Sequence, residues 1–201
     1  MKKLVAVALA CAALMGSAQA DTNVALGGAV LLTGTDFGYA APGWGAGALA
    51  AGSTITDGVF LDQGHQWNLG TVFWGGPPTA ASASSITIVL SQLFSVSSVI
   101  LQADNNDDYH IQYHGADHLW HDLATVSPPD SWGVDKVTHT PGSAILADGF
   151  MINGQKGDNL FAVSEFQAIG APVPEPQTYA MLGLGLAALG LAARRRKNQA
   201  S

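Results

Sequence analysis

Cationic side chains are scarce in this chain, and their placement matters more than their number. Between Asp21 and Pro172 there is no arginine, and Lys136 and Lys156 are the only lysines, against thirteen aspartates and Glu165. A surface of that sign repels phosphate backbones, which argues against nucleic-acid binding. Cysteine is nearly absent too. Cys11 is the only one, and it lies in a segment with the features of a cleaved leader, so neither a disulfide nor a thiolate metal site is expected in the mature chain. No stretch of the central region keeps a long 3.6-residue apolar period, which argues against a helical body. Catalytic signatures are missing as well: there is no G-x-S-x-G elbow and no H-E-x-x-H. His121 and Asp122 are adjacent, a spacing that turns them to opposite faces of a strand. No nucleophile stands out, and an enzyme is not expected.

The two ends are where the remaining cations collect. Lys2 and Lys3 precede the apolar run "LVAVALACAALM", and "AQA" (Ala18, Gln19, Ala20) closes it with small residues. This order predicts a secretory signal peptide over 1–20, removed by signal peptidase to leave Asp21 first. At the other end, the uncharged run Tyr179–Ala193 contains Gly183, Gly185 and Gly190 and is followed by Arg194, Arg195, Arg196 and Lys197. It is shorter than the ~20 residues that span a bilayer comfortably, but its composition suits a transmembrane helix over 179–193. The basic residues at 194–197 fit a cytoplasmic stop. Pro174, Glu175 and Pro176 lie just before the run, and their prolines keep that segment extended.

This three-part order resembles the PEP-CTERM sorting signal of Gram-negative bacteria, and it sets 173–201 apart from the rest. The resemblance implies transient membrane insertion, recognition of Pro174-Glu175-Pro176 by an exosortase and cleavage nearby. The product would be released or attached at the cell envelope or in the extracellular matrix.

Residues 21–172 are enough for one ordinary domain. Their texture predicts short strands separated by Gly, Pro and Asn-Asp clusters, as in a β-sandwich. "SSITIVLSQ" places Ile86, Ile88 and Leu90 on one face, and "YHIQY" does the same for Tyr109, Ile111 and Tyr113. "FSVSSVILQ" puts Val96, Ser98 and Ile100 on one side and Val99 and Leu101 on the other. Leu31 to Gly52 is glycine-rich and reads as a long loop. Four runs in order, "ITDGVFLDQGHQW", "ITIVLSQLFSVSSVILQADNNDDYHIQYH", "LW" and "FAVSEFQAIG", resemble the discoidin or coagulation-factor C-type domain. That resemblance implies an all-β, galactose-binding-like jelly-roll β-sandwich. It also implies a structural calcium ion held partly by Asp57, in the "DG" turn, and Glu165, in the last strand.

Candidate site residues follow from the same segments. Trp44 in "APGWGAG", Trp132 in "PDSWGVD" and Trp74 in "FWGGPP" lie in Gly/Pro-rich surroundings. Loop aromatics can stack on the C–H faces of a sugar while nearby Asp and Asn bind hydroxyls. Trp67 and Trp120, inside strand-like runs, are expected in the core. "ADNNDDY" has calcium-loop composition without the spacing of an EF-hand, and reads as a polar turn. In "HIQYHGADHLWHD", pairing Tyr113 with His118 would place His110 opposite His121, and a one-residue shift would pair His114 with His118. Either register offers two ligands where zinc takes three or four, so these histidines are expected to face solvent. The function expected is a non-catalytic module for extracellular polysaccharide. The alternative is a structural matrix or adhesion protein.

Overall fold

A computed structural model describes residues 20–39, 41–75, 84–129, 132–173 and 183–190. Contacts divide the chain into one unit over Ala20–Pro172 and another made of Met1–Gln19 and Val173–Ser201. In the second unit the described residues are Val173 and a helix over 183–190. Among the described residues no helix is long and apolar enough to cross a membrane. Residues 1–19 of the expected 1–20 leader, Pro174-Glu175-Pro176 and the basic residues 194–197 lie outside the described residues.

The first unit contains β1 (Thr22–Asn23), β2 (Ala29–Thr33), β3 (Val72–Gly75), β4 (Ser85–Asp104) and β5 (Asp108–Gly115). β6 (Trp120–Val126), β7 (Val134–His139), β8 (Ile145–Lys156) and β9 (Leu160–Pro172) complete it, with a 3-10 turn at Gly52–Thr56. All the strand pairs are antiparallel and belong to one hydrogen-bonded network that folds over itself. β4 makes this possible. Its first half lies between β2 and β8, and its second half lies between β7 and β9. The strand changes layer across a break in register between Val89 and Phe94, where a bulge bends it. The result is the expected all-β sandwich, with one layer ordered β6-β5-β8-β4-β2 and the other built on β7, β4, β9 and β3.

Alternation explains which faces meet. Ile86, Ile88, Ile111, Phe150 and Ile152 come from the first layer, and Leu101, Phe161, Val163, Phe166 and Ala168 from the second; all are buried in one cluster. Phe150 and Phe166 join the layers with ring centroids 5.0 Å apart. The run after Phe94 departs from simple alternation. Val96 and Val99 are both buried, while Ser98 and Ile100 are only partly so. The register slips between Val96 and Ser98, so the inward face changes phase there. The expected loop from Leu31 also begins later, because Leu31, Leu32 and Thr33 complete β2 against Ile86 and Thr87.

Candidate functional site

Five segments meet around a cavity of about 150 Å³ beyond the C-terminal end of β4, Trp67 entering from the stretch before β3. Trp44 comes from the loop after β2, and Trp132 and Gly133 come from the approach to β7. Asp104 ends β4, Asn105 and Asn106 begin the turn to β5, and Asp158 lies in the turn from β8 to β9. The structure therefore brings Trp44 and Trp132 into one cleft, 42 % and 61 % exposed respectively. Trp44 packs its edge on buried Trp67, whose ring centre is 6.1 Å away. Gly133 adopts φ +74°, and a β-carbon there would collide with the His65 carbonyl oxygen. The bridge between His65 and Val134 depends on that approach and places Trp132 at the cleft rim.

The third tryptophan does not join them. Trp74 is fully buried, paired through β3 with Phe161 of β9, and touches Phe37, Phe161 and Tyr109. A ring enclosed on that scale has no free face for a sugar, so the expectation for Trp74 is corrected: β-pairing draws it inward despite the glycines that follow. Trp67 is in the core as expected, but Trp120 is 39 % exposed, because it begins strand β6 at the end of its layer's strand order.

The acidic wall of the cleft is electrostatically unusual. Burial lifts the Asp104 carboxyl to about 7, with a backbone N–H of Asn105 opposing and the charge of Asp158 adding. Asp107, behind it, is raised to about 9 by burial first, and then by Asp104, Asp158 and Asp108. The Asp158 N–H lowers Asp107 somewhat, but neither carboxylate oxygen completes a hydrogen bond. Sequence reading shows the acidic turn but not that two of its carboxylates point inward, because Asp and Asn runs normally face water.

The charge of Asp57 acts on Glu165. Glu165 is fully buried on β9; its Oε1 accepts from Gln167 Nε2 at 3.2 Å, while Oε2 has no partner. Its carboxyl is raised to about 7, chiefly by burial, with the charge of Asp57 adding and hydrogen bonds from Gln167 and the Gly58 backbone opposing. Asp57 itself accepts the Val59 N–H at 2.8 Å. An orphaned carboxylate oxygen beside a second carboxylate is a donor set that fits calcium.

The histidine hairpin takes neither expected register. Tyr113 pairs with His121 and His114 with Trp120, because the turn is longer and His118 adopts φ +62° within it. A further slip between Ile111 and Gln112 puts His110 opposite Thr125. The histidines pair with acids instead: His110 with Asp122 at 3.1 Å, His114 with Asp148 at 2.6 Å and His121 with Asp117 at 2.9 Å. Among the described residues no group of three or more His, Cys, Asp or Glu side chains is arranged to hold a metal ion.

Residues 172–197 match the family model described as the PEP-CTERM protein-sorting motif. The chain therefore carries an export and sorting address. No curated protein matches. Similar solved structures include the family 32 carbohydrate-binding module of Clostridium perfringens NanJ in complex with galactose, at 17 % identity. That match covers 70 % of this chain and 93 % of that one, with a TM-score of 0.44. The family 32 module of Streptococcus pneumoniae EndoD is 13 % identical over 73 % of this chain and 98 % of that one, with a TM-score of 0.47. A fucose-binding module of Streptococcus pneumoniae, SpX-3, is 12 % identical over 77 % and 99 %, with a TM-score of 0.49.

Proposed function

We propose that this chain is an exported, non-catalytic protein whose β-sandwich binds carbohydrate in the Trp44–Trp132 cleft. The observation that carries the reading is the pairing of two exposed indoles with amide and carboxylate groups in one recess. Sugars present apolar C–H faces and hydroxyl edges, and such a recess offers a partner to each. The sandwich alone decides nothing, since the same fold serves many ends. Export through the leader and membrane-embedded exosortase processing at Pro174-Glu175-Pro176 would deliver the domain to the envelope or matrix. A calcium ion at Asp57 and Glu165 would stabilise the fold without touching the ligand. A glycan array probed with the purified protein tests the reading. Binding to at least one polysaccharide class, lost in Trp132→Ala, is expected. A blank array, with calcium-dependent self-association, would move the assignment to a matrix or adhesion protein.

A further inference from the structure

The turn between β4 and β5 carries more negative charge than its surroundings neutralise. Asp107 is 2 % exposed, yet neither of its carboxylate oxygens has a hydrogen-bond partner. The nearest acids make matters worse, because Asp104, Asp158 and Asp108 all add repulsion. Neither of the domain's two lysines pairs with Asp107: Lys136 lies over the Phe60 ring, and Lys156 reaches Asp108, at the end of the turn, at 3.5 Å with its side chain largely in solvent. The Tyr109 hydroxyl, buried nearby, is spent on the carbonyl and N–H of Ala162. A buried ionised carboxylate without a partner is strongly unfavourable. Its counter-charge must come from outside the chain, as a proton or as a cation.

Local geometry favours the cation. Gly157, in the facing turn, adopts φ +120°, and a β-carbon there would collide with Asp107 Oδ1 and lie 2.6 Å from the Asn106 carbonyl oxygen. A carboxylate oxygen and a main-chain oxygen thus crowd one cradle that only glycine leaves open. Asp158 is held beside it, accepting from Asn106 Nδ2 at 3.2 Å and from the Leu160 N–H at 2.9 Å. We propose that the Asp104–Asp108 turn and the facing Asp158 form a calcium site, with Asp107 as its central ligand. The Asn106 carbonyl stands beside it, and the charges of Asp104 and Asp158 favour a cation there. Among the described residues no three such side chains are arranged to hold an ion together, so main-chain carbonyls and water would have to complete the shell. That suits calcium better than zinc, because calcium completes a loose shell of oxygens with carbonyls and water. The site is separate from the Asp57–Glu165 pair and does not depend on carbohydrate binding, although Asp104 and Asp158 also line the cleft.

Calorimetric titration with calcium and melting curves with and without chelator test this on the purified protein, between pH 6 and 9. Asp104 and Asp107 hold protons in the folded state at pH values where the unfolded chain has lost them. In chelator, stability is therefore expected to fall as pH rises towards 9, and calcium is expected to remove that fall. Asp107→Asn should bind one calcium fewer per chain while melting no lower than the parent in chelator at high pH. Glu165→Gln should keep this calcium. Unchanged stoichiometry and affinity in Asp107→Asn would overturn the proposal. So would a parent protein that binds no calcium at millimolar concentration and relies on protons alone.

Discussion

The aromatic stack inside the sandwich and the tryptophans of the cleft use one residue type under opposite constraints. Trp74 is enclosed, with Phe161 and Phe37 at 5.5 and 5.6 Å and Tyr109 at 6.3 Å. Trp44 and Trp132 sit on loops, each leaving a large part of its ring in solvent. Burial of an indole stabilises the fold through contact area, whereas an exposed indole contributes little to stability but keeps a face for a partner. The difference separates residues that build the scaffold from those free to serve a ligand.

Substitutions can break that distinction or sharpen it. Trp74→Ala is expected to cost about 3–5 kcal/mol of stability, since it opens a cavity in the tightest part of the core. A melting temperature near the parent's would dissolve the contrast. Trp132→Ala should weaken glycan binding by roughly tenfold or more with unchanged melting, as expected for a central aromatic contact. A third change bears on the scaffold's ionisable interior. Glu165 has a folded value of about 7, above its ordinary one, so without a cation its stabilising contribution falls as pH rises through 7. Glu165→Gln should flatten that slope, which cannot exceed about 1.4 kcal/mol per pH unit for one group. Stability measured at pH 6 and 8.5 in chelator checks it. Smallest of all, Trp120→Ala should leave cleft binding unaltered and stability within about 0.5 kcal/mol, as for most exposed positions. Loss of glycan binding there would move the site to the groove where Trp120 meets His114 and Asp148.

How much of this the sequence discloses depends on how local each determinant is. Strand alternation in Ile86–Leu90 and Tyr109–Tyr113 is readable, because side-chain direction follows from spacing alone. The slip at Ser97 is not. It lies in the pairing of β4 with β9, where Ser97 Oγ donates to the carbonyl oxygen of Ile169, a residue far along the chain. Trp74 looks like a loop residue until β3 is seen to pair with β9. For the site, Trp44 and Trp132 are recognisable as loop aromatics, but their meeting with Asp104 and Asp158 requires the return of β8 and β9. Asp57 and Glu165 come from the family resemblance, and what lies beyond sequence is the burial of Glu165 with one carboxylate oxygen unpartnered. The burial of Asp107 has no sequence signal, because "DNNDD" has the composition of an ordinary wet turn.

The register of β4 on β9 has a mechanical consequence. Phe94 faces Pro172 at one end and Ala103 faces Val163 at the other, so the strands overlap for about 30 Å. The cleft lies at the Ala103 end, while the chain leaves towards its C-terminus at the Pro172 end. If the cleft holds the proposed ligand, a pull between it and that exit would run along the strands, across cross-links that stand perpendicular to it. Such a load would be shared by the whole row in shear instead of opening one link after another.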